Sequence, residues 1–180
     1  MNEPGYKELY KIKTIRSPLY TSHVIIPEND IPEFEEVIIS TSSFTLEELK
    51  KMFHFSWGTM VFQVFGILDS VSKYYNKTHG IKFMKIIEDL LTYCKKSNGL
   101  FAREFQVFMQ YIDDGYAGKG WNHQDTKLGH IVWPIEEASW LRLTYNKNDL
   151  EKEIISFLSF FEIENNIHTP KRVISDLVKF

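Results

Sequence analysis

The stretch "LEELKKMFHFSWGTMVFQVFGILDSVSKYYNK", residues 46–77, restricts the fold more than any other part of the chain. Leu49, Phe53, Trp57, Met60, Val64, Leu68 and Val71 follow one another at three- and four-residue intervals, the spacing of one helix face. Around Trp57 to Leu68 nearly every face is apolar, so the spacing predicts a helix through the middle of a core. Its start is marked as well. Thr45 is placed to accept from the Glu48 backbone N–H while Glu48 reaches back, and Phe44 and Leu49 occupy the two positions of a hydrophobic staple. Gly58 and Gly66 either bend this helix or admit a close neighbour. The apolar run from Phe53 to Leu68 falls short of the ~20 residues that cross a bilayer and contains His54, Ser56 and Gln63, so no membrane span is expected.

Helical patterns continue beyond it. Gly80 is placed to end the central helix, and "IKFMKIIEDLLTYCKKSNG" carries a basic last turn with Asn98-Gly99 as a stop. "LFAREFQVFMQYIDDG" reads as a third helix. Residues 115–130 hold four of the nine glycines and few apolar side chains, which makes them the longest irregular stretch. Pro134 suits the first turn of a fourth helix, Asn148 is placed to cap a fifth, and Thr169-Pro170 opens a short last one. Residues 1–44 read as extended, in two or three short strands or an arm. "YKIKTIR" alternates, "HVIIP" and "EEVIIST" are β-branched, and Pro18, Pro27 and Pro32 exclude a long helix. The expectation is a mainly α fold, one domain overall, with an extended or β portion over 1–44 and a five- to six-helix part over 45–180.

Charge and cysteine usage exclude whole classes of function. A formal charge of −3 and a pI near 6.1 give no general attraction to phosphate backbones, and the densest basic pairs, Lys50-Lys51, Lys95-Lys96 and Lys171-Arg172, sit in helical patterns. No nucleic-acid partner is expected. The single Cys94 excludes an internal disulfide and a multi-thiolate zinc or iron–sulfur site. A reducing compartment fits it, and the polar, acidic start "MNEPGYKELYK" is neither a signal nor a transit peptide, so a cytoplasmic location is expected.

Among residues that carry chemistry, Glu136 and Glu137 stand at the predicted start of the fourth helix, where carboxylates complement free N–H groups without any catalysis. Neighbours one residue apart on a helix diverge by about 100°, which works against a shared substrate. The glycine-rich loop offers Asp113, Asp114, His123, Asp125 and His130, and a metal held by His123, Asp125 and His130 is the weaker alternative there. "GYAGKGW" lacks the phosphate-loop spacing, and no G-x-S-x-G elbow occurs. Cys94, between Tyr93 and Lys95 in a helix, reads as an inert buried thiol, and His54 as a satisfied core polar group.

Two long stretches, Ser40 to Phe83 and Gly120 to Leu158, together resemble the carboxy-terminal helical region of cobalamin-binding radical SAM proteins, a class with many radical methyltransferases. The likeness is carried by Thr45 to Phe55, by "GHIVWPIEEASWL" from Gly129 to Leu141, and by "DLEKEIISFL" from Asp149 to Leu158. Complete members also carry a Rossmann-like cobalamin domain and a barrel with a three-cysteine cluster motif, neither of which this chain contains. The resemblance therefore implies a non-catalytic domain that packs on a radical SAM and cobalamin core and shapes its substrate site. S-adenosylmethionine, the [4Fe–4S] cluster and cobalamin would be held by other domains, and no cofactor by this chain. Gln63, in "FQVFG", stands where family members often have a histidine. Gln63, Trp121, His123 and Trp133 are the substrate-contact candidates, with Glu136 and Glu137 supporting a helix start. The alternative is a free-standing helical module that binds a small apolar or peptidic ligand.

Overall fold

The computed structural model describes residues 5–29, 31 and 33–179; Pro32 and the first four residues of the polar amino terminus lie outside the described residues. The described chain is mainly α, with a short strand hairpin near its amino end. One turn, α1 (Tyr6–Leu9), precedes β1 (Lys13–Pro18) and β2 (Phe34–Ser40). The helices α2 (Leu46–Gly58), α3 (Asp69–His79), α4 (Phe83–Lys96) and α5 (Leu100–Asp114) follow. After the short ladder of β3 (Gln124–Asp125) and β4 (Gly129–Val132) come α6 (Ile135–Thr144), α7 (Lys147–Asn165) and α8 (Lys171–Leu177). Among the described residues, no helix is long and apolar enough to cross a membrane.

Tertiary contacts group the chain into two compact units, Met1–His54 with Phe108–Ala138, and Phe55–Val107 with Ser139–Phe180. In the first, β1 and β2 pair antiparallel, Ile15 opposite Val37 and Arg16 opposite Glu36, with an irregularity between Lys13 and Thr14. The expected strand in "HVIIP" is instead a short backbone pairing. His23 N–H donates to the Val132 carbonyl at 2.7 Å, and Val132 N–H donates to that of Val24 at 2.9 Å. The turn α1 falls where the sequence reads as extended; it is closed by backbone bonds from Leu9 and Tyr10 to Gly5 and Tyr6, too short to carry a helical period. The capping box at α2 forms as its residues dictate. Glu48 N–H donates to Thr45 Oγ1 at 3.3 Å, while Thr45 N–H and then the Thr45 hydroxyl, donating to Glu48 Oε2 at 2.8 and 2.9 Å, hold the Glu48 carboxyl below its ordinary range.

In the second unit, the expected single central helix is interrupted. After α2 the chain widens into a π-helical segment, Thr59–Val64, in which Phe65 N–H reaches the Met60 carbonyl at 2.9 Å. It then breaks at Gly66, whose φ of +92° lies in the left-handed region. Both roles weighed for the two glycines are realised. Gly66 turns the chain, and Gly58 lets α4 come close, because a Cβ there would meet Ile87 at 3.0 Å. Trp57, Val61, Phe62 and Leu68 are fully buried, while Val64 faces outward, so the segment is not buried on every side.

Three helix boundaries follow capping chemistry. Gly80 ends α3 at φ +69°. Asn146, not Asn148, caps α7, its side chain accepting from Asp149 N–H, which places Asn148 inside the first turn. Gly99 is less a stop for α4 than an opening for a carboxylate. A Cβ there would lie 2.3 Å from Glu153 Oε1, the oxygen that accepts from Phe101 N–H at 3.1 Å and from the Tyr93 hydroxyl at 3.3 Å. Glu153, reaching in from α7, satisfies the Phe101 N–H at the start of α5 and complements that helix end with its charge.

Burial, with the Glu153 charge adding, pushes the Cys94 thiol up to about 12 and the Tyr93 hydroxyl likewise to about 12. The unfolded chain releases these protons first as pH rises, so it binds fewer protons than the folded state. The stability they support is complete below the ordinary cysteine value of 9.0 and is lost as pH climbs through about 12. The melting temperature is therefore expected to fall progressively over this alkaline range in circular dichroism, and Cys94 to resist alkylation near neutral pH until urea is added. A melting temperature that stays flat across that range, or rapid labelling of the folded protein, would contradict this account.

Candidate functional site

The first unit contains a cleft of about 300 Å³ lined by Ser22, Phe53, Phe108, Tyr111, Ile112, Trp121, Pro134, Ile135 and Glu136. Each wall has a local reason. Phe53 is on the apolar face of α2, one turn before the buried Trp57. Phe108, Tyr111 and Ile112 are spaced i, i+3, i+4 and so share one face of α5. Trp121 is held by the two turns before it. The π-helical segment Gly115–Lys119 extends α5, and a Cβ on Gly115 would sit 2.5 Å from the Trp121 ring. Gly118 passes 3.1 Å from the Arg16 carbonyl at its Cβ position, with φ +78°. Gly120, at φ +94°, leaves no room for a side chain beside the Tyr20 ring.

The rings interlock. Phe53 and Trp121 lie nearly parallel, centroids 5.9 Å apart, and Tyr111 meets Trp121 edge-on at 5.6 Å. Tyr116 closes the back, 5.0 Å from Trp121 and 6.0 Å from Phe53. The Tyr111 hydroxyl donates to the Trp121 carbonyl at 3.4 Å. Burial, and then the nearby Glu136 charge, push it up to about 12, so it remains a donor at neutral pH.

Pro134 opens α6, its carbonyl accepting from Ala138 N–H at 3.0 Å, and the two glutamates of the first turn diverge as helix geometry requires. Glu136 lines the cleft. Glu137 turns to His23, whose Nε2 lies 2.8 Å from Glu137 Oε2. Glu137 is not among the described residues that line the cleft.

The other candidate residues divide. Trp133 is outside the cleft lining; its ring meets His23 edge-on at 5.9 Å, and its Nε1 is buried without a hydrogen-bond partner. His123 packs edge-on to Tyr111 at 6.2 Å, and its carbonyl accepts from Trp133 N–H at 2.8 Å. Asp125 turns the β3–β4 loop by accepting from Lys127 N–H at 3.0 Å, and His130 is exposed on β4. Among the described residues, no group of three His, Cys, Asp or Glu side chains comes together to hold a metal, His123, Asp125 and His130 included. Gln63 belongs to the second unit, in the π-helical segment. Its Nε2 donates to Asp69 at 3.2 Å, while its Oε1 is buried without a partner.

Phe53, Phe108 and Tyr111 are cleft residues that the sequence reading leaves out of its candidates, Phe53 as part of the central helix face and the other two within the third helix. The signal lay in the i, i+3, i+4 aromatic face of α5, which runs directly into the glycine-rich loop. Among the described residues, the lining contains no cysteine and no histidine, and its one carboxylate is that of Glu136. Comparison of the chain with protein-family models and with curated proteins finds no match.

Proposed function

We propose that this chain acts as a non-catalytic helical domain of the cobalamin-dependent radical SAM, methyltransferase-like class, packing on a radical SAM core and shaping its substrate site. The observation that carries the reading is a convergence. The two stretches that resemble that class are separated by the sequence 84–119, yet both contribute to one cleft: Phe53 from the first, and Trp121, Pro134, Ile135 and Glu136 from the second. Large apolar side chains left in solvent near the amino end, among them Ile25 at 66% and Ile31 at 84% exposure, support a surface that packs on something else. With one cysteine, the chain has no means of holding an iron–sulfur cluster, so its contribution is contact and shape, with S-adenosylmethionine, the cluster and cobalamin held elsewhere.

The test is co-expression of the tagged chain with the core of a cobalamin-binding radical SAM protein, sought first in the neighbouring reading frames. Stoichiometric co-elution in size exclusion is expected; separate elution of two well-folded proteins would overturn the reading. The cleft itself favours a second reading, a free-standing module for a small apolar or peptidic ligand. Native mass spectrometry of the purified chain separates the two, since a retained small molecule without a protein partner supports the latter.

A further inference from the structure

The ligand class of the cleft is legible in its charge. Several ionisable clusters elsewhere are already satisfied: Glu153 by Phe101 N–H and Tyr93, Glu104 by Arg142, and Tyr75 by Thr169 and Glu162. Glu136 differs. It is half-buried, and among the described residues it is the only charged side chain lining the cleft and makes no hydrogen bond or ion pair. Its neighbour Glu137 spends its carboxylate on His23 instead.

A purely apolar ligand, one form of the second reading above, would strip the water from this lone carboxylate and give nothing in return, and an anion would be repelled by it. A cation is the complementary guest. The walls narrow the choice further. A primary ammonium keeps tightly bound water and needs a ring of oxygen acceptors, whereas the polar side chains of this cleft are the Glu136 carboxylate and the Ser22 hydroxyl, set among the rings of Phe53, Phe108, Tyr111 and Trp121. An alkylated ammonium spreads its charge over methyl groups, sheds water at lower cost and is attracted to ring faces. A volume of about 300 Å³ is at the lower end for ligand pockets, which suits a headgroup-sized guest.

We propose that this cleft binds a small alkylated ammonium group, its methyl envelope resting on the aromatic walls and its charge opposed by Glu136. The inference goes beyond the assembly reading above and does not depend on it, since the cleft is built by the first unit alone.

The probe is choline, set against its uncharged carbon isostere 3,3-dimethylbutanol and against methylammonium, with binding read by tryptophan fluorescence and calorimetry. Choline is expected to bind about tenfold or more tightly than either. Glu136→Gln, which keeps the side-chain shape, is expected to remove most of that advantage while the isostere's affinity is unchanged, and Trp121→Leu to weaken both. Each variant is first checked for a cooperative melt. Equal binding of choline and the isostere would reduce the site to an apolar cleft and overturn the proposal. So would tighter binding of methylammonium, an unchanged preference in Glu136→Gln, or no binding of choline at millimolar concentration. Co-elution with a radical SAM core is a separate readout, so failure of one proposal leaves the other standing.

Discussion

Replacing Trp57 with alanine is expected to remove about 3–5 kcal/mol of stability, the range for deleting a large aromatic side chain from a close-packed interior. Trp57 is completely buried in the second unit. Its ring meets Phe62 edge-on at 5.5 Å and Phe105 at the same distance, and Phe62 in turn meets Phe101 at 4.8 Å. The indole Nε1 donates to Ser139 Oγ at 3.1 Å, and Ser139 is itself fully buried. Alanine would leave both a cavity and a hydroxyl without its donor, two losses that add. Since small proteins have only about 5–15 kcal/mol in hand, the variant should unfold at markedly lower urea with an unchanged slope. Trp57→Phe separates the parts: it retains most of the ring and loses the hydrogen bond, so its cost should be well under that of alanine. Equal costs for the two substitutions would mean that the hydrogen bond, and not ring packing, dominates the site.

Why Trp57 stood out in the sequence, while the cleft did not, has a physical basis. A residue at helical spacing within an apolar run is read correctly because burial and period are local in sequence, and the capping box at Thr45 and Glu48 is local in the same way. Gly66 shows the limit of that reading. The apolar period passes straight through it, yet the backbone turns to φ +92°, because glycine adopts that conformation freely and the period carries no information about it. Asn146 and Asn148 differ by two residues, and either has the chemistry of a cap; only the backbone geometry, φ −118° at Asn146, decides between them.

The cleft is assembled from Ser22, Phe53, the end of α5, Trp121 and the start of α6, so its existence depends on long-range packing that no single window holds. Trp121 was legible as an aromatic among glycines. Its place was not, because it depends on Gly115, Gly118 and Gly120 allowing the ring, the Arg16 carbonyl and Tyr20 to approach the backbone. Glu136 illustrates how two readings combine. Its position at the start of α6 is sufficient reason for a carboxylate, and the same position points it into the cleft. The helix dipole accounts for the residue type at both 136 and 137, and the surroundings divide their tasks.

The second large effect is expected at Arg142. This residue on α6 presents Nε and Nη2 to the Glu104 carboxylate of α5, at 2.8 Å to Oε1 and 2.8 Å to Oε2, a two-pronged contact within the second unit. Glu104 is only 6% exposed. An exposed ion pair would contribute about 0.2–1 kcal/mol, but here the comparison is with a buried carboxylate stripped of its counter-charge. Arg142→Met keeps the apolar stem and removes the fork, and is expected to cost about 3–5 kcal/mol, most of it the penalty of an uncompensated charge. Arg142→Lys should recover only part of this, since an ammonium cannot donate in the same planar geometry. Adding Glu104→Leu to Arg142→Met removes the stranded charge, so the double variant should be more stable than Arg142→Met alone, even though more native groups have been deleted. Urea midpoints of the two single variants and the double variant give the coupling directly. Costs that simply add would show that Glu104 does not depend on Arg142 for its burial, and the pair would then be incidental to the packing of α5 and α6 in this unit.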